Sequence, residues 1–133
     1  MVTRVFSATD EALPDALAFV EEELEKLDCS MKDTMLITVC VEELFVNVAH
    51  YAYSGKVGTV EMVFDCDGRM MSVTLIDEGV AFDPLAKDDP DITLPAEERG
   101  IGGLGIFMVK KSMDEVTYKR SDNKNYITMK KDI

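Results

Sequence analysis

Side chains able to do chemistry fall in separate stretches of this sequence. Glu43 and Asn47 stand four residues apart, a spacing that puts both on one face of a helix, one turn apart. A carboxylate and an amide so placed can hold a hard cation and can position or deprotonate a nucleophile. Asp77-Glu78-Gly79 follows a run of alternating apolar residues. A carboxylate at a strand end can accept a hydrogen bond from a ligand amine, and the glycine behind it allows close approach. Gly100-Ile101-Gly102-Gly103-Leu104-Gly105 opens a helical pattern. Backbone N–H groups at such a start, aided by the helix dipole, form an anion site suited to phosphates.

Each cluster also has a plain structural reading. Glu43 and Asn47 could be polar residues at the rim of a packed helix, and Asp77-Glu78-Gly79 could be an ordinary turn. The glycine string also fits the dinucleotide fingerprint, but that motif requires a preceding strand inside a βαβ unit. Here residues 90–99 are polar and contain Pro90 and Pro95, and no Gly-Lys-Ser/Thr follows the glycines. Both the Rossmann and the Walker readings therefore fail on context.

The elements that must position these clusters can be read from periodicity. Val2 to Ser7 is a short edge strand. Leu13, Leu17, Val20, Leu24 and Leu27 recur in steps of four and three, with Glu21, Glu22, Glu23 and Glu25 expected outside, giving an amphipathic helix. Thr9 or Asp10 can cap it, and Pro14 suits its first turn. Ser30, with Asp33 three residues on, caps a second helix expected to reach about Tyr53. That helix is apolar nearly all round and so is expected to be central and buried, with Glu43, Asn47 and His50 as one polar stripe. His50 itself reads as a helix-packing or capping residue.

Val60, Met62, Phe64 and Cys66 alternate with polar residues and make a strand. Asp67-Gly68 signals a hairpin, and Met71, Val73 and Leu75 make the return strand. The stretch from Asp77 to Gly103 is long and loop-like, as binding loops often are. A short helix from Leu104 to about Met113 follows, then strands Val116 to Arg120 and Tyr126 to Lys131 joined at Asp122-Asn123. The expected fold is α+β, a two-layer sandwich with helices on one face of a mostly antiparallel, mixed sheet. Residues 1–133 are expected to form a single domain.

Composition narrows the function. A net charge of −12 over 133 residues opposes direct nucleic-acid binding. The late basic residues, Lys110, Lys111, Lys119, Arg120, Lys124, Lys130 and Lys131, read as a solvated edge. Cys29, Cys40 and Cys66 lack the paired spacing of zinc or redox motifs; Cys40 reads as a small core residue. The start shows no signal-peptide pattern, and the apolar run at 35–41 is too short to span a bilayer. A cytoplasmic protein without a membrane partner is expected.

Taken in order, Glu43-Leu-Phe-Val-Asn47, Asp77-Glu-Gly79-Val-Ala-Phe-Asp-Pro84 and Gly100-Ile-Gly-Gly-Leu-Gly105 resemble the N, G1 and G2 boxes of the GHKL (Bergerat-fold) ATPases. With His50 and Tyr53, the first box is most similar to that of bacterial anti-sigma-factor serine kinases. The resemblance implies a Bergerat ATP-binding fold that takes ATP or ADP with Mg²⁺. Asn47 would supply its carbonyl oxygen to the metal, and Glu43 would be the general base. Asp77 would accept from the adenine amine, and Gly79 would let the backbone approach the base. Gly100, Gly102, Gly103, Leu104 and Gly105 would wrap the phosphates. Residues 88–99 would be the lid, with Arg99 a charge partner for phosphate. Asn125 or Thr128 would stand near the last adenine-contact motif. The sequence departs from the family at Ala81, where many members have glycine, and in lacking the final Gly-Thr pair.

The implied activity is an ATP-dependent protein-serine kinase that phosphorylates a STAS-type anti-anti-sigma protein and regulates a sigma factor, with a homodimer as a further possibility. The competing expectations are a nucleotide-gated protein-binding regulator without turnover, and an ATPase subunit of a larger machine.

Overall fold

A computed structural model describes residues 1–86 and 104–133 of the chain. Its sheet contains β1 (Val2–Ser7), β2 (Thr59–Asp67), β3 (Met70–Asp77), β4 (Glu115–Ser121) and β5 (Lys124–Asp132), in the order β1-β2-β3-β5-β4. Every pairing among the described residues is antiparallel, so the sheet is not mixed as expected. The connection after β3 delivers β4 running in the same direction as β3. The tight β4–β5 hairpin then inserts β5 between them, and the two like-directed strands never touch.

Strand alternation sets the core face. Met71, Val73, Leu75 and Asp77 of β3 lie in register with Lys131, Met129, Ile127 and Asn125 of β5. The apolar members of these rows and Val60, Met62 and Phe64 of β2 are buried under the helices. Each large side chain so buried contributes about 1.5–3 kcal/mol relative to exposure. The two hairpins show how turn chemistry fixes this register. Ser121 pairs with Lys124, and Asp122 and Asn123 both take positive φ (53° and 62°), the type I′ pattern. In the first hairpin Asp67 pairs with Met70, so the loop is Gly68-Arg69, one residue later than expected. Only Gly68, at φ 63°, is left-handed there, and the first loop position is where a type II′ turn favours glycine.

The helical layer is α1 (Leu13–Lys26), α2 (Met31–Asn47) and α3 (Leu104–Ser112), with α2 in contact with both others and with β3. Pro14 sits in the first turn of α1, as expected. The buried face of α1 is Ala16, Phe19, Val20, Glu23 and Leu24, while Leu27 is exposed. Glu23 was expected outside, but the i, i+4 step from Phe19 carries it onto the core face. Its carboxylate stays satisfied there by Lys26 Nζ at 2.8 Å.

Ser30 caps α2, its Oγ accepting from Asp33 N at 3.1 Å. The helix is not buried all round: Ile37, Cys40, Val41, Leu44 and Phe45 face the core, whereas Met31, Met35 and Val39 are exposed. After Asn47 the chain widens into a π-helical turn, Val48–Ala52, that ends at Tyr53. Met31–Ala52 is 22 residues long and holds an 18-residue window of mean hydropathy 1.3, long and apolar enough to cross a bilayer. Here it instead packs against α1, α3 and the sheet.

Candidate functional site

The widened turn sets the site. π-turns break helical phase and occur frequently at functional positions. Here the turn ends the expected polar stripe at Asn47. His50 is exposed, its Nε2 pairing with Asp10 at 2.8 and 3.0 Å. It therefore ties the π-turn to the short 3-10 turn Asp10–Ala12 that leads into α1, rather than packing against a helix. The same turn presents the Ala52 carbonyl and the Tyr53 ring to the loop after β3. Val80 N donates to Ala52 O at 2.8 Å, and Glu78 N donates to the Tyr53 hydroxyl at 2.9 Å.

Asn47 and Asp77 meet in one pocket between α2 and the sheet. Leu44, Val48, Ala52, Phe82, Pro84, Tyr118, Asn125 and Ile127 complete its wall. Asp77 is 4% exposed, and its Oδ1 accepts from Gly79 N and from Asn125 Nδ2, both at 2.9 Å. Among the described residues nothing donates to its Oδ2. A buried carboxylate with one oxygen saturated and the other open is poised to accept from a ligand. The free space among these side chains is about 30 Å³, little more than a water needs. Phe82 and Pro84 wall it on the side of the loop after β3. The one bond from that wall to Asn125, Phe82 N to Oδ1, is long at 3.5 Å.

Asn125 is buried and fully used. Besides Asp77 Oδ1, its amide donates to Val80 O at 2.7 Å, and its Oδ1 accepts from the Tyr118 hydroxyl at 2.5 Å. Of the two residues expected near this end, Asn125 faces the pocket. Thr128 lies on the opposite face, bonded through Oγ1 to Thr74 Oγ1 at 2.9 Å. Strand parity decides between them, because Asn125, Ile127 and Met129 alternate on the core face. That alternation was a sequence signal for Asn125. Nothing comparable pointed to Tyr118, or to Arg120, whose Nη1 donates to Gly79 O at 2.8 Å.

Glycine is required at Gly79 because a Cβ there would run into the Ala52 carbonyl. Gly105, in the first turn of α3, lies directly against the Glu43 carboxylate, and a Cβ would overlap it. Glu43 thus occupies a separate notch between α2 and α3, lined by Leu36, Val39, Cys40, Met108 and Ser112 among others. Among the described residues no donor reaches its carboxylate. In the same notch burial pushes the Cys40 thiol up from its ordinary pKa, against opposing contributions from Ser112 and Lys131.

The structure therefore brings Asn47, Asp77 and Gly79 together and sets Glu43 with Gly105 beside them. Leu104 begins α3. Arg99, Gly100, Gly102, Gly103 and the expected lid at 88–99 lie outside the described residues. Several of the late basic residues have partners among the described residues. Lys130 pairs with Glu115 at 3.6 Å and Lys124 with Glu78 at 3.8 Å. Lys119 and Lys111 lie over the rings of Tyr126 and Phe107.

The chain is 24% identical over 128 residues to the serine/threonine-protein kinase BtrW of Bordetella bronchiseptica, spanning 96% of this chain and 90% of that one. It is 29% identical over 82 residues to the serine-protein kinase RsbW of Bacillus cereus, covering 59% of this chain and 51% of that protein. The fold matches a crystal structure of the RsbU and RsbW domains from Mycobacterium tuberculosis with a TM-score of 0.63 at 16% identity. That match covers 98% of this chain and 32% of the other. It also matches the histidine kinase domain of a blue-light activated kinase from Erythrobacter litoralis, with a TM-score of 0.55 at 17% identity over 94% of this chain and 64% of that one. The Histidine kinase-like ATPase domain profile matches residues 6–131, and the chain belongs to that ATPase family, the GHKL fold its sequence motifs resemble.

Proposed function

We propose that this protein is a cytoplasmic Mg-ATP-dependent protein-serine kinase. Its acceptor is a STAS-type anti-anti-sigma protein, and through that acceptor and a sigma factor it acts as an anti-sigma regulator. The observation that carries the nucleotide reading is the state of Asp77: one oxygen doubly bonded within the protein, the other open toward the Asn47 pocket. A single open acceptor suits the exocyclic amine of adenine. Guanine would set its carbonyl oxygen against the same carboxylate, and bidentate recognition of its N–H groups would need the oxygen already taken. Asn47 is the one described polar side chain on the α2 side of that pocket, and it would supply an oxygen to Mg²⁺. Arg99 and the glycines from Gly100 to Gly105 would hold the phosphates.

Bound Mg-ATP supplies the phosphoryl group. Glu43, one turn before Asn47 and free of protein donors among the described residues, would take the proton of the acceptor hydroxyl. Kinship with BtrW and RsbW, both named as serine kinases, supports this reading. The test is incubation with labelled ATP, Mg²⁺ and candidate STAS proteins. Label on one serine is expected; tight ATP binding with no transfer to any serine would sink the kinase assignment.

A second reading has one observation in its favour. Glu43 lies in its own notch rather than in the Asn47 pocket, as it could in a nucleotide-gated binding regulator without turnover. In that case Glu43→Ala would leave regulation intact.

A further inference from the structure

Tyr53 joins the two ends of the site. It stands where the π-turn stops, so its backbone position is fixed by the same helix that carries Asn47. Its hydroxyl donates to the Thr59 carbonyl at the start of β2 and accepts from Glu78 N at 2.9 Å. Its ring packs against Gly58, where a Cβ would overlap it. Gly58 in turn is tied to the chain before α1, its carbonyl accepting from Ala8 N at 2.9 Å. The hydroxyl is therefore held from the strand side and grips the peptide that directly follows Asp77. One residue further on, Gly79 N closes onto Asp77 Oδ1 at 2.9 Å. Freed from Tyr53, the Asp77–Glu78 peptide loses the contact that its N–H makes, and with it the aim of the open carboxylate oxygen.

We propose that Tyr53 is a positioning residue for base selectivity. Its hydroxyl sets the register of the Asp77–Gly79 loop against the end of α2, so that Asp77 reads the 6-amino group while Asn47 holds its place at the metal end. This rests on the reading of the Asp77 pocket as the base site. The hydroxyl touches no ligand in this role and acts through Glu78 and Asp77.

The test is Tyr53→Phe, which keeps the ring on Gly58 and removes only the hydroxyl. Affinity is measured by calorimetry for Mg-ATP and for the triphosphate of purine riboside, which lacks the 6-amino group. Wild type is expected to prefer ATP. In Tyr53→Phe the ATP Kd is expected to rise about 3–10-fold, the effect of one neutral hydrogen bond. The Kd for the 6-H analogue should move less than about twofold, so the ratio between the ligands shrinks. Equal losses for both ligands, or an unchanged ratio, overturn the proposal and leave the base site standing. A wild type that does not distinguish the two ligands overturns the base site itself, and this proposal with it. If the variant does not fold, amide exchange in the wild type decides. A Glu78 N–H protected like a strand amide supports the grip, and one that exchanges as a free loop amide refutes it.

Discussion

The base-side pocket and the Glu43 notch lie on neighbouring turns of α2 but are built in opposite ways. Around Asp77, the protein holds nearly every polar atom. Asn125 makes bonds through both of its amide atoms, the Ala52 carbonyl takes Val80 N, and Arg120 holds the Gly79 carbonyl. Around Glu43 the wall is largely apolar, and no described donor meets the carboxylate. Recognition of a fixed shape gains from groups that are already oriented, because ordering them on binding would cost affinity. A base that must take a proton gains from a carboxylate not committed to other donors. Among the described residues, the groups already oriented by the protein lie at the base end of the site.

Several substitutions would break or sharpen that contrast. The largest effect is expected from Glu43→Gln, which keeps the shape of the notch and removes its proton acceptor. Phosphoryl transfer should fall about 10²–10⁴-fold, the usual contribution of a general base, with ATP Kd within about twofold of wild type. Transfer kinetics and calorimetry check this, and a parallel loss of ATP affinity would show the two regions to be one. Next, Asp77→Asn turns the open acceptor into a donor. ATP Kd should rise about 10–150-fold, the range of a charge-assisted bond, while inosine triphosphate, with an acceptor at that position, should lose much less. Equal losses would refute the orientation assigned to Oδ2.

The glycines offer a stability test of the same difference. Gly79→Ala meets the Ala52 backbone, which cannot give way, and should cost about 1–3 kcal/mol in urea unfolding. Gly105→Ala meets only the end of the Glu43 side chain, which can swing aside. Its stability should change little while phosphoryl transfer drops with the displaced carboxylate. Comparable destabilisation by both would mean that the notch is as rigid as the pocket.

The smallest effect concerns Cys40 in the notch wall. Its folded pKa is raised by burial, so the fold keeps the proton after the unfolded chain has lost it. The stability tied to the neutral thiol is full below the ordinary thiol pKa of 9.0. It declines as pH rises from there through the folded value. The stability gap between wild type and Cys40→Ala should therefore narrow between about pH 8 and pH 10. Urea titrations at the two pH values check it, and a constant gap would refute the shift.

Much of the fold was legible because periodicity survives without tertiary information. The alternation of Met71, Val73 and Leu75, the Ser30 cap and the Asp122-Asn123 turn each follow from local sterics and hydrogen bonding. Errors arose where a neighbour overrode the local rule. Glu23 is buried because Phe19 and Leu24 set the face of α1 and Lys26 satisfies its carboxylate. Met31, Met35 and Val39 are exposed because α2 turns only one side to the sheet and its flanking helices.

The order of Glu43, Asn47 and Asp77 along the chain, and the residue types that could serve a nucleotide, were determined by the sequence alone, since they are chemistry carried by the side chains. Their grouping was decided only in three dimensions. His50 paired with Asp10 instead of extending the stripe, Asn125 met Asp77 across the β3–β5 pair, and close approach joined Gly79 to Ala52 and Gly105 to Glu43. Each of these is a long-range contact between separately folded segments. Such contacts depend on how rows of side chains come into register across strands and helices, which no local run of residues encodes.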